Sequence, residues 1–261
     1  MAGIDSARRG YLIDDPPGSG VWNMAVDQAL LERCEQTGDP VLRFYQWSPA
    51  TLSLGYFQPY ADRKSHPPSY HVPVVRRSTG GGAILHDLEL TYSLVVPNQS
   101  RWSPVHQQWV KRVHGAIIDV IQTETGLPVT LAEASPWSSD GEDATTPFLC
   151  FERRSPLDVI SGRHKLVGSA QRRLRGALLQ HGSILLAQST FAPELPGLLD
   201  LCSSTVDPSR LAGQLKCQIA ADLGFEFEPT SGERWYSSEL GDRIKMITVE
   251  RFGSDSWTER R

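Results

Sequence analysis

Apolar positions recur along this chain at two spacings, and each change of spacing marks a change of element. Met24, Ala25, Ala29, Leu30 and Leu31 return at helical intervals, which predicts a helix capped by Asn23 and running to about Gln36. Short β-branched or aromatic runs follow at Val41 to Trp47, Thr51 to Leu54, Val72 to Arg76, Ala83 to His86 and Thr91 to Val96. Pro, Gly and Asp separate them, and each reads as a strand. Helical spacing resumes from Val105 to Thr123, where Val105, Trp109, Val113, Ile117, Val120 and Ile121 form the apolar face of an ordinary core helix.

Between Glu133 and Pro147 the apolar positions thin out among Glu, Asp, Ser, Pro and Gly, a pattern that predicts a mobile, acidic surface loop over 133–147. Beyond it, Leu157 to Ile160 and Lys165 to Gln171 flank a turn at Gly162, and Ala177 to Leu186 gives another strand. Pro208 and Ser209 open a predicted helix reaching about Leu223, and a last helix is predicted between Glu233 and Glu250. Clustered antiparallel strands with helices between the clusters, rather than a regular βαβ alternation, predict an α+β fold.

Composition narrows the function classes. The chain has 261 residues, 39% of them hydrophobic, enough for a sizeable core. No low-complexity linker divides it, so one domain over 1–261 is expected. A formal charge of −4, with basic residues scattered apart from short clusters, gives no electrostatic footprint for nucleic acid. No stretch has the apolar centre of a signal peptide or approaches the roughly 20 apolar residues of a membrane span, so no membrane partner and a cytosolic location are expected. The cysteines Cys34, Cys150, Cys202 and Cys217 lie far apart with no CxxC pair; free thiols and no metal site are expected.

Candidate chemistry gathers in two stretches. The first is Arg76-Arg77-Ser78-Thr79-Gly80-Gly81-Gly82, between the apolar runs Val72 to Val75 and Ala83 to Leu85. It reads as two strands joined by a turn whose bare backbone can approach a carboxylate, phosphate or acyl carbonyl, with two guanidiniums beside it. It is neither a Walker sequence nor a GxGxxG turn opening a helix, and taken alone a glycine triplet is more often a plain flexible turn. The second stretch joins Cys150, set in the apolar run Pro147-Phe148-Leu149-Cys150-Phe151, to Lys165 in Gly162-Arg163-His164-Lys165. A thiol in apolar surroundings is most often an inert buried residue, and a lone strand lysine is usually solvated. Brought together they do more, because a cation favours the nucleophilic thiolate. His86 and His181, each beside apolar strand residues, are either satisfied core histidines or bases.

With these motifs the chain resembles the biotin/lipoate protein ligase catalytic-domain family, from Asn23-Met24-Ala25-Val26-Asp27 to Ser256-Trp257-Thr258-Glu259-Arg260-Arg261. Within that family it is most similar to the cysteine-dependent lipoyl-carrier octanoyltransferases. His86-Asp87-Leu88-Glu89 looks like the transferases' version of a run in which lipoate ligases tend to carry Gly-Asn after His-Asp. Cys150-Phe151, followed by Lys165-Leu166-Val167-Gly168-Ser169-Ala170-Gln171 and Leu179-Gln180-His181-Gly182-Ser183, is similar to the branch with a nucleophilic cysteine. By the same resemblance the chain is expected to lack the accessory domain into which two-domain ligases continue. Position 28 departs from the pattern, with Gln28 where many relatives carry Glu.

The resemblance implies a biotin/lipoate-ligase-like fold of mixed, mainly antiparallel sheets flanked by helices. It also implies transfer of an octanoyl group from an acyl carrier protein thioester to a lysine of a lipoyl domain, such as that of the glycine-cleavage H protein, with no cofactor. By the same resemblance Cys150 is the nucleophile and Lys165 stabilises its thiolate or the developing oxyanion. Arg76, Gly80, Gly81, Gly82, His86, Gly168, Ser169, Ala170, His181 and Gly182 would line the substrate site. Three other readings stay open: an ATP-dependent lipoate ligase with Cys150 as a bystander, octanoyl transfer between lipoyl domains, and a non-catalytic module that binds lipoyl domains.

Overall fold

The structure is a computed structural model that describes residues 9–98, 105–133, 147–203, 205–237 and 239–261. Eleven strands are seen among them: β1 (Arg9–Asp14), β2 (Val41–Tyr45), β3 (Thr51–Leu54), β4 (Val74–Arg76), β5 (Ile84–His86), β6 (Glu89–Pro97), β7 (Thr130–Leu131), β8 (Val159–Ser161), β9 (His164–Arg173), β10 (Ala177–Leu185) and β11 (Glu226–Thr230). The main sheet has the order β11-β1-β2-β6-β10-β9-β8-β7. Its β11-β1-β2 edge is parallel and the rest antiparallel. The helices are α1 (Gly20–Thr37), α2 (Val105–Thr125), α3 (Leu198–Leu201), α4 (Pro208–Asp222), α5 (Gly232–Tyr236), α6 (Glu239–Ile247) and α7 (Asp255–Thr258).

Two apolar cores sit against this sheet. Val113, Ile117 and Ile121 of α2 and Leu211, Leu215 and Ile219 of α4 pack on Leu42, Tyr92 and Leu94. Ala25, Ala29 and Leu30 of α1 and Ile244 of α6 pack on Val41, Val95 and Leu179. Burial of each large side chain contributes roughly 1.5–3 kcal/mol, which is what fixes the helices to their faces. The α+β reading, mixed and mainly antiparallel, holds.

Several elements differ from the sequence expectations. Helix α1 starts three residues before Asn23, with Ser19 as its cap, because Asn23 is buried and committed elsewhere: it donates to Gly18 O and Gln46 O and accepts from Arg43. The last predicted helix is α5, then α6 running into a wide turn over Thr248–Phe252. Strands β1 and β11 were not foreseen. The loop expected over 133–147 falls almost wholly outside the described residues.

The glycine triplet is not a hairpin. β4 and β5 lie on either side of β3 in a small separate sheet of order β4-β3-β5, parallel on one side and antiparallel on the other. β3 is buried along its whole length and inserts between the two strands, so residues 77–83 cross over its end instead of closing a two-strand turn.

Candidate active site

Arg77 shapes the crossover. Its guanidinium donates through Nη1 to Ser53 O and Ser53 Oγ, both at 3.0 Å, and through Nη2 to Gly80 O at 2.8 Å and Gly82 O at 2.7 Å. With two loop carbonyls drawn onto one cation, the amides of Gly80, Gly81 and Gly82 donate to no described residue and remain open as hydrogen-bond donors. Gly81 has φ +94°, a left-handed conformation that glycine adopts without strain, and its carbonyl approaches Gly55 so closely that a Cβ there would lie 1.9 Å away. Burial pushes the Arg77 guanidinium down to about 10, still charged at neutral pH, while the nearby Cys150 opposes that shift.

Cys150 reaches the same loop from a different part of the chain. Its amide donates to Ala83 O at 2.7 Å and Ala83 N donates to Phe148 O at 3.2 Å, which docks the Phe148–Cys150 segment along the glycine crossover. The thiol is half-buried, at the start of a single 3-10 turn, Cys150–Glu152. On the other side stands Lys165 of β9. Its Nζ lies 3.8 Å from Cys150 Sγ, 3.5 Å from Cys150 O and 2.9 Å from Asp158 Oδ2. Gly168 makes room for it, since a Cβ there would meet Lys165 Cε at 2.5 Å. Burial raises the Asp158 carboxyl above its ordinary range even though Lys165 pulls the other way; removal from water outweighs the ion pair.

Cys150, Lys165, Gly80 and Gly81 open into a cavity of about 520 Å³, together with His86, Gly168, Ser169, Ala170, His181 and Gly182. Three polar arrangements border it. His181 points Nδ1 at Asp27 Oδ2 (3.0 Å) and Nε2 at Thr79 Oγ1 (2.7 Å), so the glycine loop begins on a hydroxyl held by a buried His–Asp pair. Burial pushes Asp27 up, but the bond from His181 and the charge of Arg43 more than offset it and leave the carboxyl below its ordinary range. His86 is stacked on Trp47 with centroids 3.7 Å apart and bonds Ser53 Oγ and Glu89 Oε1, both at 2.8 Å; burial lowers its pKa. His114 of α2 bonds Ser169 Oγ and Leu157 O, both at 2.5 Å, and burial takes it down to about 4, so it is neutral at pH 7.

Of the residues singled out from sequence, Arg76 does not reach the cavity. Its guanidinium is spent on the carbonyls of Gly55, Gln58 and Thr258, tying α7 to the small sheet. Gly82 is not in the wall either; it packs against the Cys150 backbone, where a Cβ would lie 3.3 Å from Cys150 Cα. Asp158, Asp27, Thr79 and His114 were missed as site residues. For Asp27 and Asp158 the sequence carries a signal, a lone carboxylate inside an apolar run (Met24-Ala25-Val26-Asp27 and Leu157-Asp158-Val159-Ile160), which makes sense only if a buried cation meets it. Among the described residues no His, Cys, Asp and Glu cluster could hold a metal ion.

The profile of the lipoyl protein ligase A/B catalytic domain matches residues 19–195, a span that carries the whole cavity wall. The chain belongs to that family. Among its relatives, octanoyltransferase LipM of Bacillus subtilis is 30% identical, covering 95% of this chain and 97% of the relative. Octanoyltransferase LipM of Oceanobacillus iheyensis is 36% identical, over 95% and 90%. A solved lipoate-protein ligase A bound with ATP superimposes with a TM-score of 0.73 at 19% identity, covering 96% of this chain and 98% of the other. The bipartite lipoate protein ligase of Thermoplasma acidophilum gives 0.72 at 18% identity, over 97% and 96%. These two likenesses establish the lipoate-ligase fold. Among the described residues no helix is long and apolar enough to cross a membrane.

Proposed function

We propose that this chain is an octanoyltransferase of lipoate biosynthesis that works in the cytosol. It takes octanoyl from an acyl carrier protein thioester and delivers it to a lysine of a lipoyl domain, such as that of the glycine-cleavage H protein. The observation that carries the reading is the meeting of Cys150, Lys165 and the open amides of the glycine loop at one cavity. The names of the octanoyltransferase relatives, matched over nearly the full chain, support the acyl group and the reaction class.

The thioester is already activated, so the chemistry asks for a nucleophile, a cation and an oxyanion site. Lys165, 3.8 Å from the sulfur, sets a cation beside the nucleophile and the charge that develops as it attacks. The thiolate attacks the octanoyl carbonyl, whose oxygen takes up charge against the amides of Gly80 and Gly81. The carrier leaves as its thiol, taking the proton that Cys150 gave up, and an octanoyl thioester remains on Cys150. The acceptor lysine, as the free amine, attacks that thioester; the amide forms, the C–S bond breaks, and the amine proton returns to Cys150. Apolar wall from Met24, Ile84, Val110 and Leu157 suits the alkyl chain, each buried CH₂ being worth about 0.8 kcal/mol.

The test is transfer without nucleotide. Purified protein incubated with octanoyl carrier protein and an apo lipoyl domain is expected to octanoylate the lipoyl domain in the absence of ATP. Modification that requires free octanoate or lipoate, ATP and magnesium would replace this reading with the ligase one.

A further inference from the structure

Three guanidiniums converge beside the glycine loop. Arg260 lies over the Tyr56 ring at 3.7 Å and over Trp257 at 4.3 Å. Arg251 lies over Trp257 at 4.0 Å, and Arg172 faces Tyr56 at 5.7 Å. None of the three enters an ion pair among the described residues, and each leaves its Nε without an acceptor. The charges oppose one another: burial, and after it Arg172, push Arg251 below the ordinary guanidinium range, and Glu32 offsets them only in part. In a chain of formal charge −4, folding gains nothing from unpaired positive charges gathered in one place.

The cluster is fastened to the catalytic loop. Tyr56 N donates to Thr79 O and Arg172 Nη1 to Ser78 O, both at 2.8 Å. Phe57, 66% exposed, packs edge-to-face on Tyr56 at 4.8 Å. Arginine and large aromatic residues are the types enriched at the centres of protein–protein interfaces.

None of these six residues lines the cavity, so the cluster lies beside the opening and not over the sulfur. That offset selects between partners. An acceptor delivering a lysine side chain must sit directly over Cys150. A donor whose thioester hangs on a long flexible prosthetic arm can dock to one side and still reach it.

We propose that the rim formed by Tyr56, Phe57, Arg172, Arg251, Trp257 and Arg260 is the docking surface for an acidic acyl carrier protein, whose carboxylates supply the counter-charges the cluster lacks. The inference rests on the reading that the acyl group arrives as a carrier-bound thioester. The chain's formal charge of −4 repels an acidic carrier as a whole, and the rim then steers the encounter toward the mouth of the site.

The experiment titrates unacylated acidic carrier protein against the parent, the double variant Arg251→Gln/Arg260→Gln, and Phe57→Ser, at low and high salt. In parallel, octanoyl transfer to Cys150 is measured from octanoyl-pantetheine, a thioester without a protein. The double variant is expected to bind carrier about tenfold more weakly and to lose most of the salt dependence, and Phe57→Ser to bind severalfold more weakly. Transfer from octanoyl-pantetheine should be unchanged in both. Unchanged carrier affinity in both variants would overturn the docking surface. So would an equal loss with octanoyl-pantetheine, or weakened binding of the lipoyl domain alone. A parent that binds carrier through the rim yet accepts octanoyl from neither thioester would leave the docking intact and end the proposed reaction.

Discussion

Two buried charge clusters border the same cavity and are built to different tolerances. Around Asp27 every contact is a close hydrogen bond: Tyr45 OH at 2.9 Å, Arg43 Nη1 at 3.0 Å and His181 Nδ1 at 3.0 Å. Arg43 also holds Asp15 at 2.6 Å. Around Lys165 only the bond to Asp158 is close, and the distance to the Cys150 sulfur is 3.8 Å. The first cluster joins α1, β2 and β10 in the middle of the molecule; the second joins β8, β9 and the turn carrying Cys150 toward one end of the main sheet. Closed geometry serves to hold the glycine loop through His181 and Thr79. Slack geometry leaves the Lys165 cation room to shift relative to the Cys150 sulfur.

The comparison breaks first where the closed cluster is opened. Arg43→Met leaves Asp27 and Asp15 buried without their cation, and we expect a loss of roughly 3–5 kcal/mol in urea unfolding. Activity per folded molecule should persist, since Arg43 does not itself line the cavity.

His114 sharpens the comparison from a third side. It takes up a proton near pH 4 when folded and about 6.5 when unfolded, because burial disfavours its charged form. Between those values the unfolded chain binds the extra proton, so stability is lost as the pH falls through this window, by up to about 3 kcal/mol. The drop in unfolding free energy from pH 7 to pH 4.5 should be smaller in His114→Gln than in the parent; an equal drop would assign the acid sensitivity elsewhere.

The slack cluster should respond the other way round. Lys165→Ala should keep the fold and slow acylation of Cys150 by about a hundredfold or more, the usual scale for losing one electrostatic catalyst. Unchanged acylation and thiol alkylation rates at neutral pH would remove Lys165 from the mechanism. Asp158→Asn, which frees Lys165 without removing it, should cost about tenfold in acylation with little change in KM, as for a group that acts through another.

How much of this was legible in the sequence follows from how local each interaction is. Strand β3, helix α2 and the β8–β9 turn at Gly162 are written in runs of neighbouring residues, and they were found. Cys150 and Lys165 were singled out through resemblance, because nothing in their local sequence separates a nucleophile from a buried thiol. The glycine crossover was misread as a hairpin because the strand that separates β4 from β5 lies some twenty residues upstream of the loop, a pairing no local pattern displays. Arg76 and Arg77 are adjacent and chemically identical, yet one anchors α7 and the other shapes the glycine crossover; only the direction of each side chain tells them apart. The pairs Asp27–His181 and Lys165–Asp158 needed the fold to bring their members together.

The account stands or falls on a covalent intermediate at Cys150. Enzyme mixed with octanoyl carrier protein and no acceptor is expected to accumulate one octanoyl group, labile to hydroxylamine as thioesters are, on the peptide containing Cys150, with Cys34, Cys202 and Cys217 unmodified. Cys150→Ala should lose both the adduct and the transfer. Transfer at the parental rate by Cys150→Ala, or an adduct mapping to another cysteine, would contradict it.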